Sequence, residues 1–280
     1  MIDLHTHTNE SDGTPTPGEL VDRALSVGLE ALAITDHDTL AGYDQAVEPA
    51  RAGGLDLVCA IELSAKLPGK ARSVHVLGYF VHQPPTSEFR NWVRELLASR
   101  RDRNIRLVEQ IQKLGVPLQL EEVERVGRSL TGRPHFARVL VEKRYASDYE
   151  DAFRKYLDET APSFVERHGP AVPLAAQRIT SGGGVAVIAH PIRLGFRDPA
   201  AEESLVRELK DHGLGGIEVY HSDHTPRQVE RYLGYAKKYD LAITGGSDFH
   251  GESKPDIALG TGRRGNVQVP RSVLDALRRR

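Results

Sequence analysis

Seven short apolar runs punctuate the chain, and each carries an ionisable side chain at or near its end. They are IDLHTH, EALAITDHD, LDLVCAIELSA, SVHVLGYFVH, VAVIAHP, GIEVYHS and AITGGSDFH. Runs this short and apolar read as buried strands. The stretches between most of them read as helices. PTPGELVDRALSVGL places Leu20, Ala24 and Val27 near helical spacing and stops at Gly28, and a second helix around residues 43–52 stops at Gly53-Gly54. Strand–helix alternation of this kind predicts an α/β fold with parallel strands. Where such strands close into a barrel, their C-terminal ends converge on one mouth.

The alternation breaks once. From about residue 87 to 167 the chain is charged and helical, with Trp92, Leu96, Ile105, Val108, Ile111 and Leu114 near helical spacing. LEEVERVG, RPHFARVLVEKR and DYEDAFRKYLDE read as further short helices. The expected organisation is a barrel formed by residues 1–86 and 171–280, with a helical insertion over 87–170. After the break, VPLAAQRITSGGG, DPAAEESLVRELKDHGLG and TPRQVERYLGYAKKYDL read as helices. NVQVP is expected to add a short strand, and PRSVLDALRRR a closing helix.

Composition excludes several classes. A net charge of −2 gives no global basic field, so long duplex nucleic acid is not an expected partner, whereas a local pocket can still take a small phosphorylated ligand. Cys59 stands alone, which excludes a disulfide framework and a thiolate zinc site. Its apolar setting makes it a buried strand residue. No apolar run has transmembrane length and no leader pattern opens the chain, so a cytoplasmic protein without membrane contact is expected, as a monomer or small homo-oligomer.

The chemistry lies in the twelve histidines. His5, His7, Asp12, His37, Glu62, His190, Asp248 and His250 fall at or just beyond the expected strand ends, and His75 falls in or near the fourth strand. Residues two apart on a strand share a face, so His5 and His7 point together, as do Asp248 and His250 on the same argument. Blander readings exist: His75 as a core histidine, His190 as a strand cap, His221 as a donor behind a ligand, Asp36 and Asp38 as turn or cap residues. His135 and His224 lie off the pattern, and His82, His168 and His212 read as surface. Imidazole and carboxylate donors without thiolate suit zinc, manganese or iron. Nine donors exceed one tetrahedral site and fit two or three divalent ions bridged by a carboxylate, for which Glu62 is the choice. Clustered cations point to hydrolysis at phosphorus, where they bind phosphoryl oxygens and deprotonate a water.

HTH followed by SDG, then ITDHDT, a glutamate after an apolar strand, a strand histidine, AHP and GSDFH, in that order, resemble the motifs of the PHP (polymerase and histidinol phosphatase) family. The match covers about residues 1–85 and 170–280. The resemblance implies a distorted (β/α)7 TIM-like barrel, a trinuclear metal centre and phosphoesterase activity. It implies that His5, His7, Glu62 and Asp248 hold one metal, that Glu62, His75 and His190 hold a second, and that Asp12, His37 and His250 hold a third. The GRPHFA stretch, residues 132–137, resembles the subgroup acting on nucleotide phosphates, which includes 3′,5′-nucleotide bisphosphate phosphatases and 5′–3′ exoribonucleases.

Beside these ligands, Arg133 fits a phosphate contact, since guanidinium binds phosphate bidentately. Arg193, three residues beyond His190, is expected near the metal mouth as a second clamp. His135 is expected to bind phosphate or to orient Arg133, and His221 to contact the scissile phosphate or protonate the leaving oxygen. The expected enzyme is a metal-dependent phosphoesterase in which a metal-activated hydroxide attacks phosphorus, with Asp248, His221 and Arg193 at the reacting centre. Its expected substrate is a nucleoside 3′,5′-bisphosphate or the 5′ end of a short RNA. A histidinol-phosphate phosphatase, a regulatory or proofreading module serving a polymerase, and a metal protein without turnover are the rival readings.

Overall fold

A computed structural model describes residues 1–67, 73–166 and 169–280. His168 lies outside the described residues. Seven strands form one sheet in sequential order: β1 (Ile2–Thr6), β2 (Ala31–Ile34), β3 (Asp56–Lys66), β4 (Ser73–Phe80), β5 (Val185–Ile188), β6 (Gly216–His221) and β7 (Ala242–Gly246). Beyond the ends of β7 and β1 the ring closes through a parallel bridge between Thr6 and Phe249, with His7 N–H donating to Phe249 O and Asp248 N–H donating to His5 O, both at 2.9 Å. The result is a distorted TIM-like barrel.

Not every strand is parallel. β4 runs antiparallel to both β3 and β5, from Cys59 opposite Phe80 to Lys66 opposite Ser73 on one side. Only six residues separate β3 from β4. A parallel return needs a crossover of a dozen or more, so this connection can only make a hairpin. His75, expected in or near this strand, sits near its start, which the antiparallel direction brings to the same mouth. One expectation is corrected. Glu62 lies inside β3, which continues for four residues past it.

The barrel helices begin and end where the sequence signals them. α1 (Pro17–Ser26) has a complete capping box, with Thr16 receiving Glu19 N–H and the Glu19 carboxylate receiving Thr16 N–H. α2 (Ala41–Gly53) stops at Gly54 in the left-handed region. Between β4 and β5 lie α3 (Ser87–Lys113), α4 (Leu120–Gly127), α5 (Arg133–Glu142), α6 (Tyr149–Ala152), which runs on into a π-helical turn, and α7 (Val172–Ser181). Leu107, Ile111, Leu118, Val123, Phe136 and Leu140 form a hydrophobic cluster of their own within residues 107–157. α8 (Pro199–Asp211), α9 (Pro226–Tyr239) and α10 (Arg271–Leu277) complete the chain. NVQVP makes a single bridge, Val269 to Ile2, instead of a strand, and a small hairpin of β8 (Ile257–Ala258) and β9 (Gly262–Arg263) precedes it.

Alternation along the strands aims the site. Val58, Ala60, Leu77, Tyr79, Val187 and Ala189 share one cluster with Val273, Leu274 and Leu277 of α10, which packs against this face of the sheet. Glu62 and His75 continue the same alternation one step further, so they project on that face at the mouth. Among the described residues no helix is long and apolar enough to cross a membrane.

Candidate metal centre

Glu62 is the hub. It is 1% exposed, and its two carboxylate oxygens face different histidines. Oε1 lies 2.9 Å from His75 Nδ1 and 2.9 Å from His190 Nε2. Oε2 lies 3.3 Å from His5 Nε2, 3.2 Å from His7 Nε2 and 3.3 Å from His37 Nδ1. Asp248 faces the first pair as well, with Oδ1 at 3.5 Å from His5 Nε2 and 3.4 Å from His7 Nε2. Asp12 gathers the remainder: His250 Nε2 at 3.3 Å, His7 Nδ1 at 3.6 Å and His37 Nε2 at 3.7 Å.

All nine candidate ligands therefore meet at one mouth. Within it, His5, His7 and Asp248 can share one ion, His37, Glu62 and His75 another, and His7, Asp12, His37 and His250 a third, while His5, Glu62 and His190 also converge. His37 differs from its expected place in one respect, because its two nitrogens face two of these groups. Asp248 and His250 reach the mouth by a route other than strand alternation. β7 ends at Gly246, Asp248 takes a left-handed φ of 59°, and the turn swings both residues inward. Asp38 and His190 also have positive φ. Strained non-glycine backbone at three places around one site is characteristic of functional loops.

The local scaffolding explains how the first loop holds its shape. Asp36 accepts from Thr8 N–H (2.7 Å), Thr8 Oγ1 (2.6 Å) and Ser11 Oγ (2.6 Å), which pins the HTHTNESDG loop against β2. Asp38 accepts from Ser64 N–H at 2.8 Å and pairs with Arg100 of α3. Asp36 therefore holds the first loop, whereas Asp38 ties β3 to α3.

The donor set fits divalent metal. His5 Nε2, His7 Nε2, His37 Nδ1, His75 Nδ1 and His221 Nε2 are buried and carry no hydrogen bond. A buried polar atom left unpaired costs about 1–3 kcal/mol. Five such nitrogens aimed at two carboxylates are accounted for by cations shared between them. Electrostatics divide the histidines. Burial opposes charge on His5 and His7, yet Glu218 and Glu62 hold His5 well above the usual imidazole value, and Asp248 and Glu62 raise His7 to about 9, so cations bound there would displace protons. Burial opposes charge on Glu62, yet His37, His75 and His5 around it hold its carboxyl well below the usual range. Burial pushes His37 and His190 down to about 3, leaving each ring neutral, as a ligand must be.

The expected phosphate contacts divide between two sides. Arg133 and His135 line a cavity of about 430 Å³ that opens on Asp12, His37 and His75. Arg133 donates to Leu157 O (3.3 Å), and His135 Nδ1 receives Gly132 N–H (3.0 Å), which fixes that ring in the wall. Lys66, Arg100, Arg103, Phe153 and Phe164 share the lining. Arg193 and His221 lie on the Asp248 side. Arg193 donates to Asp223 Oδ2 at 2.6 Å and to Asp248 Oδ2 at 2.9 Å. His221 Nε2 is 3.5 Å from Asp248 Oδ2, and its Nδ1 receives Asp223 N–H at 3.0 Å. His224 is a core histidine, with Nδ1 2.8 Å from Val219 O and its ring against Tyr232. His82 and His212 are exposed.

Sequence reasoning missed Arg100, Arg103, Lys66, Lys254, Asp223 and Glu218. Arg100 and Arg103 sit in RRDR, which looks like an ordinary solvated helix face. Lys254 donates to Asp248 Oδ2 at 2.7 Å from a loop. Glu218 is hidden in the apolar run GIEVYHS, where a fully buried carboxylate was itself the signal.

Fold and site together define a metal-dependent phosphoesterase, and the comparisons make the assignment specific. The model of the PHP domain family matches residues 3–166, and the chain belongs to that family. A 5′-3′ exoribonuclease of Haemophilus influenzae is 32% identical over 251 residues, covering 89% of each chain. A 3′,5′-nucleoside bisphosphate phosphatase of Chromobacterium violaceum is 30% identical over 260 residues, covering 91% of this chain and 90% of its own. A solved structure from Bifidobacterium adolescentis, described as a metal-dependent phosphoesterase, superposes with a TM-score of 0.82 at 32% identity, covering 99% of this chain and 94% of that one.

Proposed function

We propose that this protein hydrolyses phosphate esters of nucleotides, removing the 3′-phosphate of nucleoside 3′,5′-bisphosphates or trimming the 5′ ends of short oligoribonucleotides, in the cytoplasm and as a monomer or small homo-oligomer. The observation that carries the reading is the two-sided Glu62 carboxylate, with separate sets of imidazoles on Oε1 and Oε2. That is the arrangement of a carboxylate bridging two cations. His5, His7, Asp248, Glu62, His75 and His190 would hold two ions, and Asp12, His37 and His250 a third, as Mn²⁺, Fe²⁺ or Zn²⁺. Such ions, when bound, neutralise phosphoryl oxygens and acidify a water.

The chain's own residues do the rest. Residues 87–170 act as a lid domain over the barrel of residues 1–86 and 171–280, and its wall receives the part of the substrate that does not react. Arg133 and His135 hold the second phosphate, where a partly buried guanidinium makes strong charge-assisted bonds. Phe153 and Phe164 offer apolar surface for a nucleobase. On the opposite side Arg193 stands against Asp248, placed to stabilise charge on the reacting phosphate, with His221 within reach of the leaving oxygen.

Phosphate release from adenosine 3′,5′-bisphosphate and from histidinol phosphate, measured side by side with Mn²⁺, tests the substrate class. Turnover of the bisphosphate at a higher kcat/KM is expected. Faster turnover of histidinol phosphate would move the protein to a small-molecule phosphatase.

A further inference from the structure

We infer that Glu218 is a positioning residue that sets the tautomer of His5 and the backbone of His190, and so couples two metal positions from behind; the inference rests on the metal-centre reading above. Glu218 lies in β6 and is fully buried. One oxygen, Oε1, is 2.8 Å from His5 Nδ1. The other, Oε2, accepts His190 N–H at 2.6 Å. Glu218 thus bonds two of the nine candidate ligands while standing outside that set itself.

Each contact has a consequence at the mouth. A carboxylate can only accept, so the His5 proton resides on Nδ1. That leaves the Nε2 lone pair aimed at the gap shared with Glu62 Oε2 and Asp248 Oδ1, where Nε2 has no hydrogen bond. His190 has φ 27° and ψ 63°, an unfavourable backbone for a residue with a side chain. Its N–H bond to Glu218 helps to hold that turn, and the ring then reaches Glu62 Oε1 at 2.9 Å. One carboxylate therefore sets a histidine on each side of the bridging glutamate. Outer partners of this kind typically change metal affinity about 10- to 100-fold.

The decisive variant is Glu218→Gln, which keeps volume and shape. The amide oxygen is required by His190 N–H, so the amide NH₂ group faces His5 Nδ1. His5 must then accept at Nδ1 and carry its proton on Nε2, which blocks the lone pair facing the gap. Against burial, Glu218 and Glu62 raise the His5 ring well above the usual imidazole value, so the spectra are recorded at a pH high enough for that ring to be neutral. Long-range ¹H–¹⁵N spectra of the metal-free protein are then expected to show His5 protonated at Nδ1 in the wild type and at Nε2 in the variant. Calorimetric titration with Mn²⁺ is expected to show binding weakened about 10- to 100-fold in Glu218→Gln and less in Glu218→Asp. An unchanged tautomer with wild-type affinity overturns the inference. If Glu218→Gln does not fold, the wild-type spectrum still decides, because His5 protonated at Nε2 contradicts it. A wild type with the Nδ1 tautomer that binds no Mn²⁺ instead overturns the metal centre, and the coupling with it.

Discussion

Asp56 and Glu62 lie six residues apart on β3, about 20 Å of extended chain, and are treated in opposite ways. Asp56 opens the strand at the base of the barrel. Arg278 meets it with two nitrogens at 2.7 and 2.8 Å, and Arg271 with one at 2.5 Å. Its charge is answered by permanent cations from α10, and its oxygens are filled. Glu62 sits at the mouth among imidazoles, several of whose nearest nitrogens make no hydrogen bond. One carboxylate closes a structural contact, whereas the other is left open toward groups that need a further partner. The difference separates the end of a barrel that stabilises from the end that reacts.

The largest effect should follow from changing the open carboxylate. Glu62→Gln is expected to lower phosphate release by more than about 100-fold and to reduce bound metal, with the circular dichroism spectrum retained, since even outer partners of ligands cost that much. Loss of activity with full metal content would break the contrast between the two glutamate and aspartate sites. A smaller effect is expected at the cavity wall. Arg133→Ala should lower kcat/KM for a nucleoside bisphosphate by about 10- to 100-fold, the value of a charged hydrogen bond, with metal content as in the wild type.

Asp56→Asn should leave activity unchanged and cost about 1 kcal/mol of stability, because partly exposed pairs contribute little. Its pH dependence has a definite sign. Arg278 first, then Arg271, hold the Asp56 carboxyl below its ordinary value of 3.8 against partial burial. The stabilisation is therefore complete above that value and is lost as pH falls through the folded-state value. Thermal melts between pH 3 and 6 should show wild type and Asp56→Asn converging at the acid end. Cys59, also on β3, should have the least effect. Burial pushes its thiol up to about 12, so it should resist a thiol reagent at pH 8 until the chain unfolds.

Much of this was legible in the sequence for a physical reason. Strand ends in a barrel converge, so ionisable residues at the ends of apolar runs could be placed at one mouth before any contact was known. Asp12, which follows a loop, could be included because it lies so close to His5 and His7. Apolar runs, however, do not state strand direction, so the reversal of β4 had to be read from the short connection before it. Asp248 and His250 were brought inward by a left-handed turn that residue spacing does not reveal. Glu218, Arg100 and Arg103 were missed for opposite reasons: Glu218 carried a signal, a carboxylate inside an apolar strand, that was passed over, whereas the arginines resembled solvated helix charges. The contact of Glu218 with His5 spans 213 residues of chain, and that of Arg100 with Asp38 spans 62.

Anomalous difference maps from crystals grown with Mn²⁺ test the central claim most directly. Two peaks or more are expected at the barrel mouth, with Glu62 in coordination contact with two of them through different oxygens. A single peak, or peaks that leave Glu62 uncoordinated, would contradict the account.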